Sequence, residues 1–155
     1  MPDLKDWVMV SHLRRDCRMR LTSLSRTMKM PISTLYDRLR DFESSGVLRH
    51  SALLDFAKLG FQTRAVVLFS CARARQDALG KHLTCHPNVN SLFRVNNGYC
   101  YLAECVFRSI RELEAFTDKA DGDFDGKHQT YFVVDDVRRE GFLSDPELVQ
   151  LAMGG

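Results

Sequence analysis

The sequence predicts an α+β protein whose two halves use different kinds of secondary structure. Apolar residues recur at helical spacing through residues 1–50, which indicates three short helices. Residues 63–134 instead alternate strand and helix signals in the order β-α-β-β-α-β. Together these observations predict an N-terminal winged helix-turn-helix followed by a ferredoxin-like βαββαβ domain.

We expect four segments along the 155 residues. Residues 1–50 form the winged helix-turn-helix, and residues 51–62 form a linker strand or hinge. Residues 63–140 form the βαββαβ domain, and residues 141–155 form a C-terminal tail. Charge follows the first boundary, because residues 1–50 hold ten Lys and Arg against six Asp and Glu, a balance of +4, and the rest of the chain has a balance of −2.

Two helices precede the helix that dominates the N-terminal half. Residues 3–15 read as a helix whose apolar side chains could pack across both of the following helices, namely Leu4, Trp7, Val8, Val10 and Leu13. Residues 20–30 read as a shorter helix, with Thr22 as its N-cap. The buried stripe of this second helix is Leu21, Leu24 and Met28.

The third helix begins near Pro31, a residue that suits a first helical turn. Ser33 and Thr34 can cap its free amides, and Gly46 can end it in the left-handed conformation. Its buried stripe is predicted to be Ile32, Leu35, Leu39 and Phe42. After the stop, residues 47–54 are expected to form a strand hairpin that acts as a wing.

The face of the third helix opposite this stripe is polar, with Tyr36 and Arg38 at its flanks. A helix with small hydroxyl residues at its N-terminus, an aromatic hydroxyl and two arginines can fit a DNA major groove. The alternative is a mixed-charge face that is only solvated. The candidate DNA contacts are Arg20, Lys29, Ser33, Thr34, Tyr36, Asp37, Arg38 and Arg40.

Composition describes an ordinary globular chain, with 45% hydrophobic residues, 27% charged residues and a mean hydropathy of −0.24. Its apolar runs are far shorter than the roughly 18 residues that would span a bilayer. The N-terminal residues MPDLKDW contain no signal-peptide core. We therefore expect a cytoplasmic protein without a membrane partner.

The second half is predicted to contain four strands and two helices. The strands are expected at residues 63–71, 89–95, 99–107 and 128–134, and the helices at residues 73–85 and 109–120. Asn96, Asn97 and Gly98 give a strong hairpin signal between the second and third strands. A sheet of this order has its helices on one face, so two copies could bury their free faces and form a homodimer.

Two motifs suggest metal binding, but neither is complete. The run DGDFDG at residues 121–126 matches the opening of an EF-hand loop, yet Phe132 stands where a bidentate Glu is needed. His82 and His86 have a spacing that could bind a metal, but no third ligand is evident. The five cysteines show no CxxC spacing. We expect no metal site, no cofactor and no disulfide framework.

The order of several residues carries a family resemblance. An Arg follows the first helix, and a Ser-Thr pair opens the third helix. A second Arg lies four residues after that Thr. The third helix stops at a Gly followed by two hydrophobic residues, and an Asp and then a Leu-Gly pair come after this stop. The residues in these positions are Arg18, Ser33, Thr34, Arg38, Gly46, Val47, Leu48, Asp55, Leu59 and Gly60. This order resembles the DNA-binding half of the Lrp/AsnC, or feast/famine, regulators. HPNV at residues 86–89 and RELEAF at residues 111–116 resemble the family's second half.

The resemblance implies a dimer that can build larger rings and a C-terminal domain that senses small molecules, commonly amino acids. Many family members carry a Thr-Gly-Asp-Tyr-Asp-like run at the hairpin, and aligning the tyrosines shows that this chain has lost both acidic positions. Glu104 could meet a ligand's ammonium group instead, or the ligand differs, or there is none. The effector candidates are Asn96, Asn97, Gly98, Tyr99, Cys100 and Glu104.

We therefore expect a sequence-specific transcriptional regulator, not an enzyme, that binds a palindromic operator in double-stranded DNA as a dimer. One alternative is an enzyme, since sirohaem decarboxylases resemble the same family and this chain offers His82, His86, Arg94 and Tyr99. That family's His-Asn-Tyr run after the second helix is not found here. The other alternative is a small-molecule sensor or assembly partner whose helix-turn-helix no longer binds DNA.

Overall fold

A computed structural model describes residues 3–153 and divides them into two compact units. The first unit combines residues 3–52 with residues 137–153, and the second is Leu53–Asp136. Residues 1–2 and 154–155, the ends of the expected first and last segments, lie outside the described residues. Among the helices of residues 3–153, each is too short or too polar to cross a membrane.

Three helices form the N-terminal part, namely α1 (Leu4–Arg15), α2 (Leu21–Met28) and α3 (Ile32–Ser44). A capping box begins α1, because the Asp6 amide donates to the Asp3 carboxylate and the Asp3 amide donates to the Asp6 carboxylate, both at 2.8 Å. The predicted cap Thr22 is wrong, since Arg20 is the N-cap of α2 and offers no side-chain bond. Pro31 precedes α3 as an N-cap that has no side chain to accept a bond, so Ser33 and Thr34 do not cap the helix.

Met9, Leu13, Leu24 and Leu35 form the core of this unit and are almost completely buried. Leu39 and Phe42 pack against these four side chains, as the helical stripe predicts. Ile32 is an exception, because its side chain is 46% exposed. It lies at the first position of α3, where the helix has only begun to face the core.

The predicted stop of α3 is confirmed, but the predicted wing is wrong. Gly46 has a φ of +74°, and the Leu48 amide donates to the Phe42 carbonyl at 3.0 Å. Every residue from 45 to 62 is described, and none of them lies in a strand. Val47 is the only β-branched residue of that stretch, which explains the weak preference for strand. Instead of a linker strand, residues 56–60 form a turn that ends at Gly60.

The second unit has the predicted βαββαβ order. Its elements are β1 (Thr63–Ser70), α4 (Gln76–Cys85), β2 (Val89–Arg94), β3 (Tyr101–Phe107), α5 (Ile110–Phe124) and β4 (Lys127–Phe132). The strands pair antiparallel in the order β2-β3-β1-β4. The ferredoxin-like fold class is therefore confirmed.

Alternate side chains of the sheet face the two helices. Ala65, Val67 and Phe69 of β1 are buried in the core, where they meet Leu79 and Leu83 of α4 together with Leu113 and Phe116 of α5. The other face is more open. Its central row crosses three strands, because Leu68 pairs with Leu102, which pairs with Phe93. Phe93 is 56% exposed at the edge of this row.

Residues 137–153 belong to the N-terminal unit. A short helix, α6 (Val149–Met153), contacts α1, and Val149 is completely buried. The Arg14 guanidinium and the Glu140 carboxylate form an ion pair at 3.0 Å in the same unit. Residues 137–153 therefore form part of the helical unit.

Candidate DNA-binding helix and hairpin cavity

The outer face of α3 presents a polar stripe. Ser33, Tyr36, Asp37 and Arg40 follow the i, i+3, i+4, i+7 spacing of one helix face, and all four are exposed. The Tyr36 side chain is 55% exposed, which is high for an aromatic ring. This stripe lies opposite Leu35, which is completely buried, so packing of the core fixes its direction.

The turn before α3 is closed by hydrogen bonds between its two sides. The Met30 amide donates to the Ser25 carbonyl at 3.1 Å, and the Ser25 hydroxyl donates to the Met30 carbonyl at 2.6 Å. Lys29 adopts a left-handed conformation in this turn, and its side chain is exposed. Arg20 is also exposed at the start of α2, while Thr34 is half-buried. An exposed cation therefore lies at each end of α2.

The N-terminus of α3 suits an anion. No acidic residue lies in its first turn, and no side chain of residues 3–153 caps its first amides. These amides and the helix dipole favour a negative group such as a phosphate. Arg26 lies in the last turn of α2, a few residues before α3 in sequence, and its side chain is exposed. Sequence reasoning missed Arg26, although its place among the cations of residues 20–30 was a usable signal.

Arg38 does not lie on the polar stripe. Its guanidinium donates to Asp6 and, at 3.0 Å, to Asp3, the two capping residues of α1. Hydrogen bonds to Asp6 and then Asp3 raise the pKa of Arg38 above its ordinary value. The pKa of the Asp3 carboxyl is lowered, mainly by the hydrogen bond from the Asp6 amide and also by Arg38. Arg38 therefore joins α3 to the beginning of α1.

The hairpin between β2 and β3 has a tight turn. Asn97 and Gly98 have φ values of +65° and +90°, and the Val95 amide donates to the Cys100 carbonyl at 3.1 Å. The Tyr99 hydroxyl donates to the Gln129 side chain at 2.5 Å, which connects the hairpin to β4. An open cavity of about 510 Å³ lies beside it, lined by Ser70, Asn97, Gly98, Tyr99, Lys127, His128 and Gln129.

Three of the six effector candidates line this cavity and three do not. Asn97, Gly98 and Tyr99 line it, whereas Asn96, Cys100 and Glu104 are not part of its wall. The wall residues from β4 were missed, because nothing local in the sequence indicates that β4 approaches the hairpin.

Glu104 has partners of its own. Its carboxylate accepts from Arg64 and Asn90, both at 2.8 Å, and from Ser91 at 3.1 Å. Burial acts to raise the pKa of Glu104, but the bonds from Asn90, Arg64 and Ser91 together hold that pKa below its ordinary value. This carboxylate is therefore an ionised hydrogen-bond acceptor within the sheet.

The two metal-like motifs have structural roles. Asp121 belongs to α5, which continues to Phe124, and its carboxylate hydrogen-bonds the His128 ring at 2.7 Å. The rings of His82 and His86 pack on Phe116. Burial, helped by His82 and Lys119, lowers the pKa of His86. Within residues 3–153, no group of three or more His, Cys, Asp or Glu side chains is arranged to hold a metal.

A helix-turn-helix with an exposed polar face, combined with a βαββαβ domain that carries a hairpin cavity, defines a two-part DNA-binding regulator. Residues 64–140 match the Lrp/AsnC ligand binding domain. The chain belongs to the Lrp/AsnC family of helix-turn-helix transcriptional regulators.

Similar proteins support this assignment. The HTH-type transcriptional regulator LrpC of Bacillus subtilis is 25% identical over 118 residues, which cover 76% of this chain and 82% of LrpC. The solved structure of B. subtilis LrpC superposes with a TM-score of 0.81 and 21% identity, covering 89% of this chain and 98% of that one. The regulator NMB0573 of Neisseria meningitidis, solved in complex with L-Met, gives a TM-score of 0.81 at 20% identity and covers 90% of this chain and 94% of its own.

Proposed function

We propose that this protein is a cytoplasmic, dimeric regulator that recognises its operator through the exposed face of α3. The observation that carries the proposal is the polar stripe of α3, which continues to an N-terminus with free amides. Recognition helices of this class enter the major groove with their N-terminal residues at base edges. A helix whose polar face is only solvated would need neither an exposed tyrosine nor a first turn that can bind an anion.

The proposed contacts divide by chemistry. Tyr36, Asp37 and Arg40 reach base edges, since Arg pairs with guanine and a carboxylate accepts from the cytosine amino group. Ser33 and Thr34 bind at the helix N-terminus, to a base edge or a phosphate. Arg20 and Lys29 neutralise phosphates on either side.

Arg38 is assigned a different role from the one expected from sequence. Its bonds to Asp3 and Asp6 use the guanidinium within the helical unit. We assign to it the positioning of α3 on α1, so that it supports DNA binding through the orientation of the helix.

Dimerisation is proposed through the open face of the sheet. The row of Leu68, Leu102 and Phe93 is apolar and only partly covered. Two copies of this row would cover each other about a two-fold axis. Dimeric helix-turn-helix proteins read two half-sites about one helical turn apart. A palindromic operator follows, and further contacts between dimers would give a ring.

The hairpin cavity is the proposed effector site. Its volume of about 510 Å³ suits a small molecule such as an amino acid. Lys127 and His128 can meet a carboxylate, and Asn97 and Tyr99 offer further polar groups. The L-Met complex of the Neisseria regulator supports an amino acid as the first compound to test.

The proposal is tested by selecting bound sequences from a random duplex pool at two salt concentrations. The wild type is compared with a Tyr36→Ala, Arg40→Ala double variant and with Arg111→Ala, which removes an exposed arginine from α5 in the other unit. We expect a palindromic motif for the wild type and for Arg111→Ala, and none for the double variant.

Other outcomes reject parts of the proposal. Salt-sensitive retention without any motif would indicate non-specific binding through phosphates alone. A motif that survives in the double variant would mean that α3 is not the reading element. If the protein retains no DNA even at low salt, the result would favour a small-molecule sensor whose helix-turn-helix does not bind DNA.

A further inference from the structure

We propose that Cys71 and Cys100 are a site of oxidative modification, at which a peroxide converts the two thiols into an intramolecular disulfide. Their sulfur atoms lie 3.9 Å apart. Cys71 directly follows β1 and Cys100 directly precedes β3, and these two strands are paired neighbours in the sheet. The fold therefore brings together two thiols that are separated by 29 positions in sequence.

The backbone beside the two thiols is held by the sheet. Phe69 pairs with Tyr101 in the β1–β3 ladder, and the Cys100 amide donates to the Phe69 carbonyl at 2.8 Å. Disulfides commonly join residues whose α-carbons are about 4.4–6.8 Å apart, a separation typical of neighbouring strands. Closing the bond requires side-chain rotation, and it replaces the bond that the Cys100 thiol donates to the Phe69 carbonyl at 3.2 Å.

The other cysteines lack this arrangement. Cys17 and Cys85 are exposed free thiols, and Cys105 is completely buried with its sulfur directed to the Ala103 carbonyl. Cys71 is partly accessible and Cys100 is buried. An oxidant from solvent therefore meets Cys71 first, and Cys100 is placed to resolve the product.

The chemistry balances with hydrogen peroxide as the oxidant. The Cys71 thiolate attacks one peroxide oxygen, so that an S–O bond forms, the O–O bond breaks, and the leaving hydroxide takes up a proton to become water. The Cys100 sulfur then gives up its proton and attacks the sulfenic sulfur, so that the S–S bond forms, the S–O bond breaks and a second water leaves. Two thiols lose two electrons and two protons, and one peroxide becomes two waters.

The rate of this reaction follows from the environment of Cys71. Burial, together with the neighbouring Cys100 thiol, raises the pKa of Cys71 to about 11. The attacking thiolate is scarce at neutral pH, so oxidation of Cys71 is slow at that pH and faster at higher pH. Because the Cys71 and Cys100 sulfurs lie next to each other, the product is the disulfide between these two residues. That product would link the end of β1 to the base of the hairpin that carries Tyr99.

The test uses the full chain, treated with hydrogen peroxide at pH 8.5, alkylated and digested without reduction. The trypsin sites at Arg73 and Arg94 place Cys71 and Cys100 in different peptides, while Cys100 and Cys105 share one, so fragmentation must assign the linked sulfur. We expect one cross-linked peptide pair that joins Cys71 to Cys100, disappears on reduction and comes from protein of monomer mass.

A Cys17→Ser, Cys85→Ser variant removes the exposed thiols and should form the same link, and Cys71→Ser should abolish it. The first variant changes only exposed positions, so its result does not depend on tolerance of a change in the core. Three outcomes would overturn the proposal: links through Cys17 or Cys85 alone, Cys71 recovered as a sulfinic acid without a link, or the same link formed equally well in urea.

Discussion

Arg38 donates hydrogen bonds to Asp6 and Asp3, so one side chain of α3 binds both partners of the capping box that begins α1. The Asp6 side chain is only 12% exposed. A carboxylate in that position needs its partner, because a charge that is left buried and unpaired destabilises the fold. The angle between α1 and α3 therefore depends on this ion pair as well as on the apolar core.

Arg38→Ala should destabilise the helical unit by about 1–3 kcal/mol, since it leaves the Asp6 carboxylate without its guanidinium. Arg40→Ala is the matched control on the same helix, and its exposed side chain predicts a change within about 0.5 kcal/mol. Trp7 is the only tryptophan and lies in α1, so its fluorescence during urea unfolding reports this unit. Equal midpoints for the two variants would show that the ion pair adds nothing to stability.

Variants at the same two positions separate positioning of the helix from contact with DNA. Arg40→Ala should relax the motif at one base, because Arg40 is proposed to read a base edge. Arg38→Lys keeps the charge but loses the two-partner geometry, so its affinity should fall while the slope of log affinity against log salt stays unchanged. A lower slope for Arg38→Lys would contradict the positioning role, and fluorescence polarisation with a labelled operator measures both quantities.

Two helical glycines offer opposite predictions. A Cβ at Gly80 of α4 would overlap the Tyr101 hydroxyl, which accepts from Arg94 at 3.1 Å, whereas a Cβ at Gly122 of α5 would meet nothing within 4 Å. Gly80→Ala should therefore cost about 1–3 kcal/mol through overpacking. Gly122→Ala should stabilise the domain by about 0.5–1 kcal/mol through helix propensity. Hydrogen exchange of β3 amides measures the stability change of each variant. Destabilisation by Gly122→Ala would contradict the open space beside Gly122.

The order of the elements could be predicted because each depends on nearby residues. The alternation of Ala65, Val67 and Phe69, the Asn97-Gly98 turn and the stripe of Leu35 and Leu39 are local signals, and the structure follows them. Propensity also explains the failure at residues 47–54, where the strand was predicted from aliphatic and β-branched residues although Val47 is the only β-branched residue of that stretch.

The details of the candidate sites depend on pairings that sequence does not encode locally. Arg38 meets Asp6 across 32 positions, and Tyr99 meets Gln129 across 30. A helical wheel places Arg38 at the flank of the polar face but does not show that α1 brings two carboxylates to it. The helix at Val149–Met153 was missed for the same reason, because its burial depends on contact with α1.

Stability at low pH should depend on Glu104. Because hydrogen bonds hold the folded pKa of Glu104 below its ordinary value of 4.5, the folded protein binds fewer protons here than the unfolded chain does as the pH falls toward and below 4.5. The stability that ionised Glu104 contributes is therefore fully present above the pKa that Glu104 has in the unfolded chain. It is lost as the pH falls through the pKa that Glu104 has in the folded protein. Glu104→Gln should cost about 2 kcal/mol at pH 7, since Arg64 and Asn90 lose a charged acceptor.

The difference between the wild type and Glu104→Gln should shrink as the pH falls from 4.5 through the folded pKa of Glu104, because protonation then makes the wild-type side chain neutral as well. Glu114→Gln, at an exposed position of α5, is the matched control and should change stability little at any pH. Hydrogen exchange of β1 and β3 amides measured from pH 7 to pH 3 follows the sheet directly, and Trp7 fluorescence follows the other unit as an internal reference. A difference that stays constant with pH would mean that Glu104→Gln acts through packing and not through the charge.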